Sequence, residues 1–430
     1  MNLNGFILPL LLAAHSIAPG QTLTAAPAHI PVPTQTHAAA PTFRNGQWRA
    51  LLIRKDGNEI AFNFDVKDSA GKQILYLRNA AERILVDDIT RDGDSLFIKF
   101  PFYESQLRSR VTPEGNLEGV WLRHLASDWL VVPLKAFYGE SSRFPHPKEL
   151  AVPDVTGRWA SLFRSATDNT DTTFRIGEFQ QTGDHVTGTF LEATGDLRYL
   201  EGAVIGDSLK LSCFDGTHAY YFTAKLTRKG LTGDYYPGVT AHYTWTAHKD
   251  ANAKLEDQFA MVQWKKDLPF TFAFKDLDGN IVSLSDPKFK NKVVIIQLMG
   301  SWCPNCMDET RFLSGFYKEY RDKGVEIIAL AYERSTDFPR SQASVRTFQQ
   351  RFDVKYTMLI TTAAVGDPQR VEKTLPQLDH IAGFPTTIFV GKSGKIEKIH
   401  TGFSGPGTGR HYEDQKQEFY TLVNDLLAAK

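Results

Sequence analysis

Cys303 and Cys306 are the two residues of this 430-residue chain whose type and spacing speak most directly of chemistry. They stand in Trp302-Cys303-Pro304-Asn305-Cys306, directly after the apolar run Val293-Val294-Ile295-Ile296-Gln297-Leu298-Met299. Beyond them Phe312, Leu313, Phe316 and Tyr320 recur three and four residues apart. The run reads as a strand buried on both faces and the following segment as an amphipathic helix. Cys303 then falls where strand hands over to helix, and there unpaired backbone N–H groups and the positive end of the helix dipole favour a thiolate. Pro304 suits the first helical turn because its missing N–H removes no bond there. One turn separates the two Cα atoms by about 5.5 Å, within disulfide reach. A redox-active Cys303–Cys306 pair is therefore expected, with Cys303 the exposed attacking sulfur and Cys306 the shielded one that resolves a mixed disulfide.

Glu309 lies one turn beyond Cys306, and its spacing admits two readings. It is either a partly desolvated carboxylate that takes the Cys306 proton or a solvated first-turn acid that complements the dipole. Gln297, six residues before Cys303, cannot take up a proton, so Glu309 is the better candidate base by elimination. Ahead of a second strand stands Gly383-Phe384-Pro385-Thr386-Thr387. Pro385 is either a proline that simply opens a strand or a cis proline whose neighbouring backbone holds a substrate peptide in β-like pairing. No second cysteine pair or nearby histidine completes a four-ligand zinc site, so no metal is expected, and no cofactor motif is found. The glycine-rich stretch from Gly402 to Gly409 lacks the Gly-Lys-[Ser/Thr] ending of a phosphate loop and reads as the entry to the last helix.

These residues need a scaffold, and the chain is long enough for two or three domains. Hydrophobic residues at 42% and aromatics at 12% exclude disorder over the whole length. Forty-nine basic residues balance 49 acidic ones, so nucleic acid is not an expected partner. Three cysteines are too few for a disulfide-stapled scaffold. Residues 1–18 contain the apolar run Gly5 to Ala14 and read as a secretory signal, although no Lys or Arg precedes Arg44. Residues 19–43, rich in Ala, Pro and Thr, read as a linker. No internal run is long enough to span a bilayer, and no cysteine precedes Cys213 to carry a lipid. A periplasmic or otherwise extracytoplasmic product, soluble after signal cleavage, is expected.

Residues 44–145 and 153–249 show short alternating runs typical of half-buried strands, with turns expected at Asp56-Gly57, Glu114-Gly115, Gly183-Asp184 and Gly195-Asp196. The second segment echoes the first: Gly46-Gln47-Trp48 returns as Gly157-Arg158-Trp159, and Gly93-Asp94-Ser95-Leu96 as Gly206-Asp207-Ser208-Leu209. The expected fold class is a duplicated all-β N-terminal half, each lobe a sandwich or half-open barrel, followed by an α/β domain over residues 267–430. Trp48, Trp159 and Cys213 are expected in the β cores. Pro145, Pro147 and Pro153 mark the joint, and a charged connector from Lys249 to Lys266 precedes the last domain.

Taken together, the Trp302–Cys306 motif after a buried strand, Glu309, and Phe384-Pro385-Thr386-Thr387 before a hairpin resemble the thioredoxin superfamily. Within it the segment is similar to extracytoplasmic thiol–disulfide oxidoreductases of the TlpA/ResA type. The resemblance implies a thioredoxin fold, a Cys303 nucleophile, a Cys306 resolving thiol, a cis Pro385 and a functional acid at Glu309. It further implies substrate contacts from Trp302, Phe384 and Pro385, protein thiols or disulfides as substrates, and an upstream membrane thiol donor. Gln297 fits that branch, whereas cytoplasmic thioredoxins carry aspartate there. Pro304 after the first cysteine and Asn305 before the second depart from the branch, which usually has proline directly before the second. The peroxiredoxin pattern is absent, since Gly300 and Ile296 occupy its threonine and proline slots. The expected activity is protein disulfide exchange or reduction. The alternative is a binding or scaffold protein whose β lobes capture a partner while the dithiol serves only as sensor or tether.

Overall fold

Alternating aromatic and β-branched runs build two antiparallel meanders of nine strands each. The first runs from Gly46–Ile53 to Trp129–Tyr138 and the second from Gly157–Ser165 to Tyr243–Lys249. The computed structural model describes residues 42–101, 104–125, 128–147 and 152–429; the expected signal and nearly all of the expected linker lie outside them. In the second meander the strand His185–Glu192 pairs with both Thr172–Thr182 and Leu200–Ile205, so eight strands close into a barrel. In the first, Glu82–Val86 and Asp88–Asp92 do not pair with each other, which leaves a seam in a nearly closed barrel. Trp48, Trp159 and Cys213 all point into the barrel cores, and burial pushes the Cys213 thiol well above its ordinary pKa.

Gly195-Asp196 is not the expected turn. It forms a two-residue strand paired with Leu191 and Glu192, and Ala193-Thr194 make the turn. Gly195 has φ +144°, a backbone conformation that side chains disfavour.

The two barrels share a core. Phe214 of the second barrel packs among Phe62, Phe100 and Trp121 of the first, with ring centroids 4.3, 5.5 and 5.4 Å away. The Trp121 indole N–H and the Ser105 hydroxyl both donate to the Gly216 carbonyl. At the joint, buried Arg143 donates to the Ser212 carbonyl and pairs with Glu201 at 3.1 Å.

In the last domain a seven-stranded mixed sheet is built from β1 (Ala273–Asp276), β2 (Ile281–Ser283), β3 (Val293–Met299), β4 (Val325–Ala331), β5 (Thr357–Ile360), β6 (Thr386–Val390) and β7 (Ile396–Thr401), in the order β2-β1-β5-β4-β3-β6-β7. Helices α1 (Pro304–Tyr320), α2 (Phe338–Arg351), α3 (Arg370–Thr374) and α4 (Arg410–Ala428) cover it. β3 pairs in parallel with β4 and antiparallel with β6, and all seven of its residues are buried. Its apolar run follows from having a core on each face: Val293, Ile295 and Met299 meet α1, α2 and α4, while Val294, Ile296 and Leu298 meet α3 and the connector. Gln297 shares the first face, and that register aims the amide of a buried strand at α1. Among the described residues, no helix is long and apolar enough to cross a membrane.

Candidate active site

Cys303 caps α1. Its backbone is extended (φ −99°, ψ 117°), Pro304 follows in the first turn, and its Sγ accepts the Cys306 N–H at 3.2 Å. The two Cα atoms lie 5.2 Å apart and the sulfurs are joined in a disulfide. An N-terminal helix cap of this kind offers a thiolate both a hydrogen bond and the positive end of the dipole. Cys306, one turn in, is fully buried. Cys303 is itself only 4% exposed, where an open sulfur was expected. Within its own domain it packs against Phe384 and Cys306, and the Ala193–Arg198 hairpin of the second barrel meets the first turn of α1 beside it, at Pro304 and Asn305.

The Phe384-Pro385 peptide bond is cis, and the Phe384 carbonyl oxygen lies 3.5 Å from Cys303 Sγ. The indole of Trp302 donates to the Tyr332 carbonyl at 2.9 Å and meets the Phe384 ring edge-on, with centroids 5.8 Å apart. Phe384 thus meets both Trp302 and Cys303, with buried Pro385 next to it in the chain. The loop ahead of Cys303 is pinned by Glu333, whose buried carboxylate accepts the Ser301 N–H at 2.8 Å and its hydroxyl at 2.7 Å. Glu333 had no signal in the sequence, because its partner lies 32 residues away on another strand end.

Behind the disulfide sits Glu309, 2% exposed, so the solvated first-turn reading does not hold. Gln297 Nε2 donates to one carboxylate oxygen at 2.8 Å and the Thr387 hydroxyl to the other at 2.5 Å. Burial pushes the carboxyl up to about 7, and the two donors oppose that rise without cancelling it. Thus a group that exchanges protons near neutrality stands on the α1 face one turn from Cys306. Gln297 and Thr387 hold it from β3 and β6, with Gln297 also bonded to Thr310. Among the described residues no cluster of histidine, cysteine and carboxylate side chains suits a metal ion.

Residues 264–415 match the model of the Redoxin family. A thiol-disulfide oxidoreductase ResA of Bacillus cereus is 31% identical over 146 residues, covering 32% of this chain and 70% of that protein. The chain belongs to the ResA family of thiol–disulfide oxidoreductases. ResA of Bacillus thuringiensis subsp. konkukian is 30% identical over 125 residues, or 29% of this chain, which thereby spans 62% of that relative, just under two thirds. Among solved structures, StoA from Bacillus subtilis aligns with 20% identity and TM-score 0.25, covering 35% of this chain and 96% of its own. The Redoxin match lies in the connector and the last domain, so family membership rests on the part of the chain that carries Cys303 and Cys306.

Proposed function

We propose that this protein is an extracytoplasmic thiol–disulfide oxidoreductase that reduces or exchanges disulfides of protein substrates through Cys303 and Cys306. The observation that carries the reading is a dithiol pair at the mouth of α1 with a buried carboxyl of near-neutral pKa behind it. In the reduced protein the Cys303 thiolate attacks one sulfur of a substrate disulfide. The substrate S–S bond breaks, one substrate thiolate leaves, and Cys303 is joined to the other sulfur. Glu309 takes the proton of Cys306, whose thiolate then attacks Cys303 Sγ and expels the second substrate thiolate. Two electrons pass from the dithiol to the substrate, and a separate dithiol donor must restore Cys303 and Cys306. A membrane-bound donor is the partner the family resemblance suggests.

Trp302, Phe384 and Pro385 are proposed to contact the substrate, because Phe384 meets both the Trp302 ring and Cys303 Sγ and is joined to Pro385 by the cis bond. The residue 44–145 and 153–249 lobes are proposed to be copies of one unit, supported by nine strands in each and by the echoed Gly-x-Trp starts at Trp48 and Trp159. The test is reduction of insulin disulfides with dithiothreitol as donor. Cys303→Ser is expected to abolish turnover, and Cys306→Ser to accumulate mixed disulfides that identify substrates. Full turnover by Cys303→Ser would refute the assignment. Tight capture of a partner by the intact chain, with negligible turnover and no mixed disulfide, would favour the scaffold alternative.

A further inference from the structure

Disulfide exchange needs an incoming sulfur in line with Cys303 Sγ, yet that residue is nearly closed off although it caps the outer end of a helix. One turn of the second barrel packs against the segments around it. The Asp196 carbonyl accepts the side-chain amide of Asn305, the residue between Pro304 and Cys306. Thr194 rests on Gly383, the residue before Phe384, so closely that a Cβ there would come within 2.7 Å of Thr194 Cγ2. Its backbone also lies against Gly402, whose N–H donates to the Pro385 carbonyl. The Asp196 carboxylate accepts the Gly405 N–H at 2.7 Å, and Gln258 of the connector donates to the Ala193 carbonyl at 2.9 Å. The hairpin therefore touches three segments that border the dithiol: the start of α1, the strand-opening loop before β6, and the loop after β7.

One side chain fastens it. Buried Arg198, itself at φ +64°, pairs with Asp308 in α1, donates to the Pro304 carbonyl at 3.4 Å, and pairs with Glu82 of the first barrel at 2.5 Å. Its guanidinium thus bridges the first barrel and α1 while its backbone belongs to the second barrel. Asp308 also accepts from Arg311 at 3.0 Å. Removing the arginine leaves buried Asp308 and half-buried Glu82 without the guanidinium that links them, which loosens the closed arrangement.

We propose that the Ala193–Arg198 hairpin is a gate that covers Cys303 against protein disulfides and must lift, with Arg198 as its latch, before a substrate can dock. This rests on the exchange reading above. Because Arg198 also holds Glu82, closure depends on the seating of both barrels and not on the hairpin alone.

The test uses the full chain in a Cys306→Ser background, reduced, with mass spectrometry locating the adduct on Cys303. The probe is a maleimide carrying several kilodaltons of polyethylene glycol. Thr194→Gly, which removes the wedge over Gly383 and leaves the Glu192–Arg175 pair in place, and Arg198→Gln are each expected to raise the labelling rate about ten-fold, the shift that a released closed state produces. If Arg198→Gln fails to fold, Thr194→Gly decides. Equal rates in parent and folded variants, or a parent labelled as fast as the urea-unfolded chain, would overturn the gate. Labelling is read without any disulfide turnover. Faster labelling in a protein that never reduces insulin upholds the gate and removes the exchange reading; brisk turnover with unchanged labelling does the reverse.

Discussion

Glu309→Gln is the substitution that most directly separates the chemistry of this site from its architecture. The carboxyl is buried, and its pKa stands at about 7 against an ordinary 4.5. A pKa difference of about 2.5 corresponds to about 3 kcal/mol between protonation states. The sign follows from proton binding. Between pH 4.5 and 7 the folded chain holds a proton that the unfolded chain has released, so stability falls as pH rises through that window. Below it Glu309 is neutral in both states and the penalty vanishes. Glutamine is nearly isosteric and never ionises; its oxygen can still accept from Gln297 and its amide can donate to the Thr387 hydroxyl.

The variant is therefore expected to match the parent at about pH 4 and to exceed it by about 3 kcal/mol near pH 8, measured by urea unfolding across the range. The comparison must be between variants. Burial of His400 drives its pKa down to about 4, so its contribution to stability is lost as pH falls from 6.5, opposite in slope to that of Glu309. The wild-type curve alone would show the two effects partly cancelling. In single-turnover resolution of a mixed disulfide, the parent rate should inflect near pH 7, and Glu309→Gln should lose that inflection and about 100-fold in rate at neutral pH. A stability difference that stays flat with pH, or a Gln variant with the parent's rate and inflection, would refute the reasoning.

Thr387→Val removes one of the two donors that hold the Glu309 pKa down, so the resolution inflection should move up by about one pH unit, read from the same rate–pH profile. Phe214→Ala empties a ring site in the shared barrel core, where Phe62 and Trp121 are its neighbours, and should cost about 3–5 kcal/mol in urea unfolding followed by tryptophan fluorescence. A cost below about 1 kcal/mol would mean that the barrels do not share a core at that residue. Cys213, fully buried with its thiol pushed upward, should resist iodoacetamide in the native chain and react only after unfolding, as mass spectrometry of the alkylated protein would show.

What could be read from the sequence was what local pattern encodes. The β3 run, the α1 period and the turn-length spacing of Cys303 and Cys306 each concern residues close together, and strand-to-helix geometry makes them specific. The start of α2 rests on a cap: the helix opens at Phe338 because Asp337 accepts the Arg340 N–H at 2.9 Å. Glu309 was visible but undecided, since spacing reports a helix face and not its burial. Only Gln297 and Thr387, brought in from two strands, make it a near-neutral acid.

The least legible part was the contact between the halves, and the reason is physical. Gly195-Asp196 has the composition of a turn, and pattern reading treats a turn as a solvated connection. In the folded chain Asp196 is buried, and its charge is tolerated because Gly405 and Arg198 supply backbone N–H groups, one from the other domain. Arg198 likewise reads as a surface residue until Glu82, 116 positions earlier, and Asp308, 110 positions later, are placed beside it. Buried charge is costly unless paired, so a seating of the barrels that separated Arg198 from Glu82 and Asp308 would leave buried charge without its partner. The observed seating puts the Asn305 amide against the second barrel, so the residue that departs from the usual proline between the two cysteines is also the one that meets the hairpin. Proline has no side-chain donor to offer the Asp196 carbonyl. The departure at Asn305 and the presence of the barrels are thus two sides of one interface.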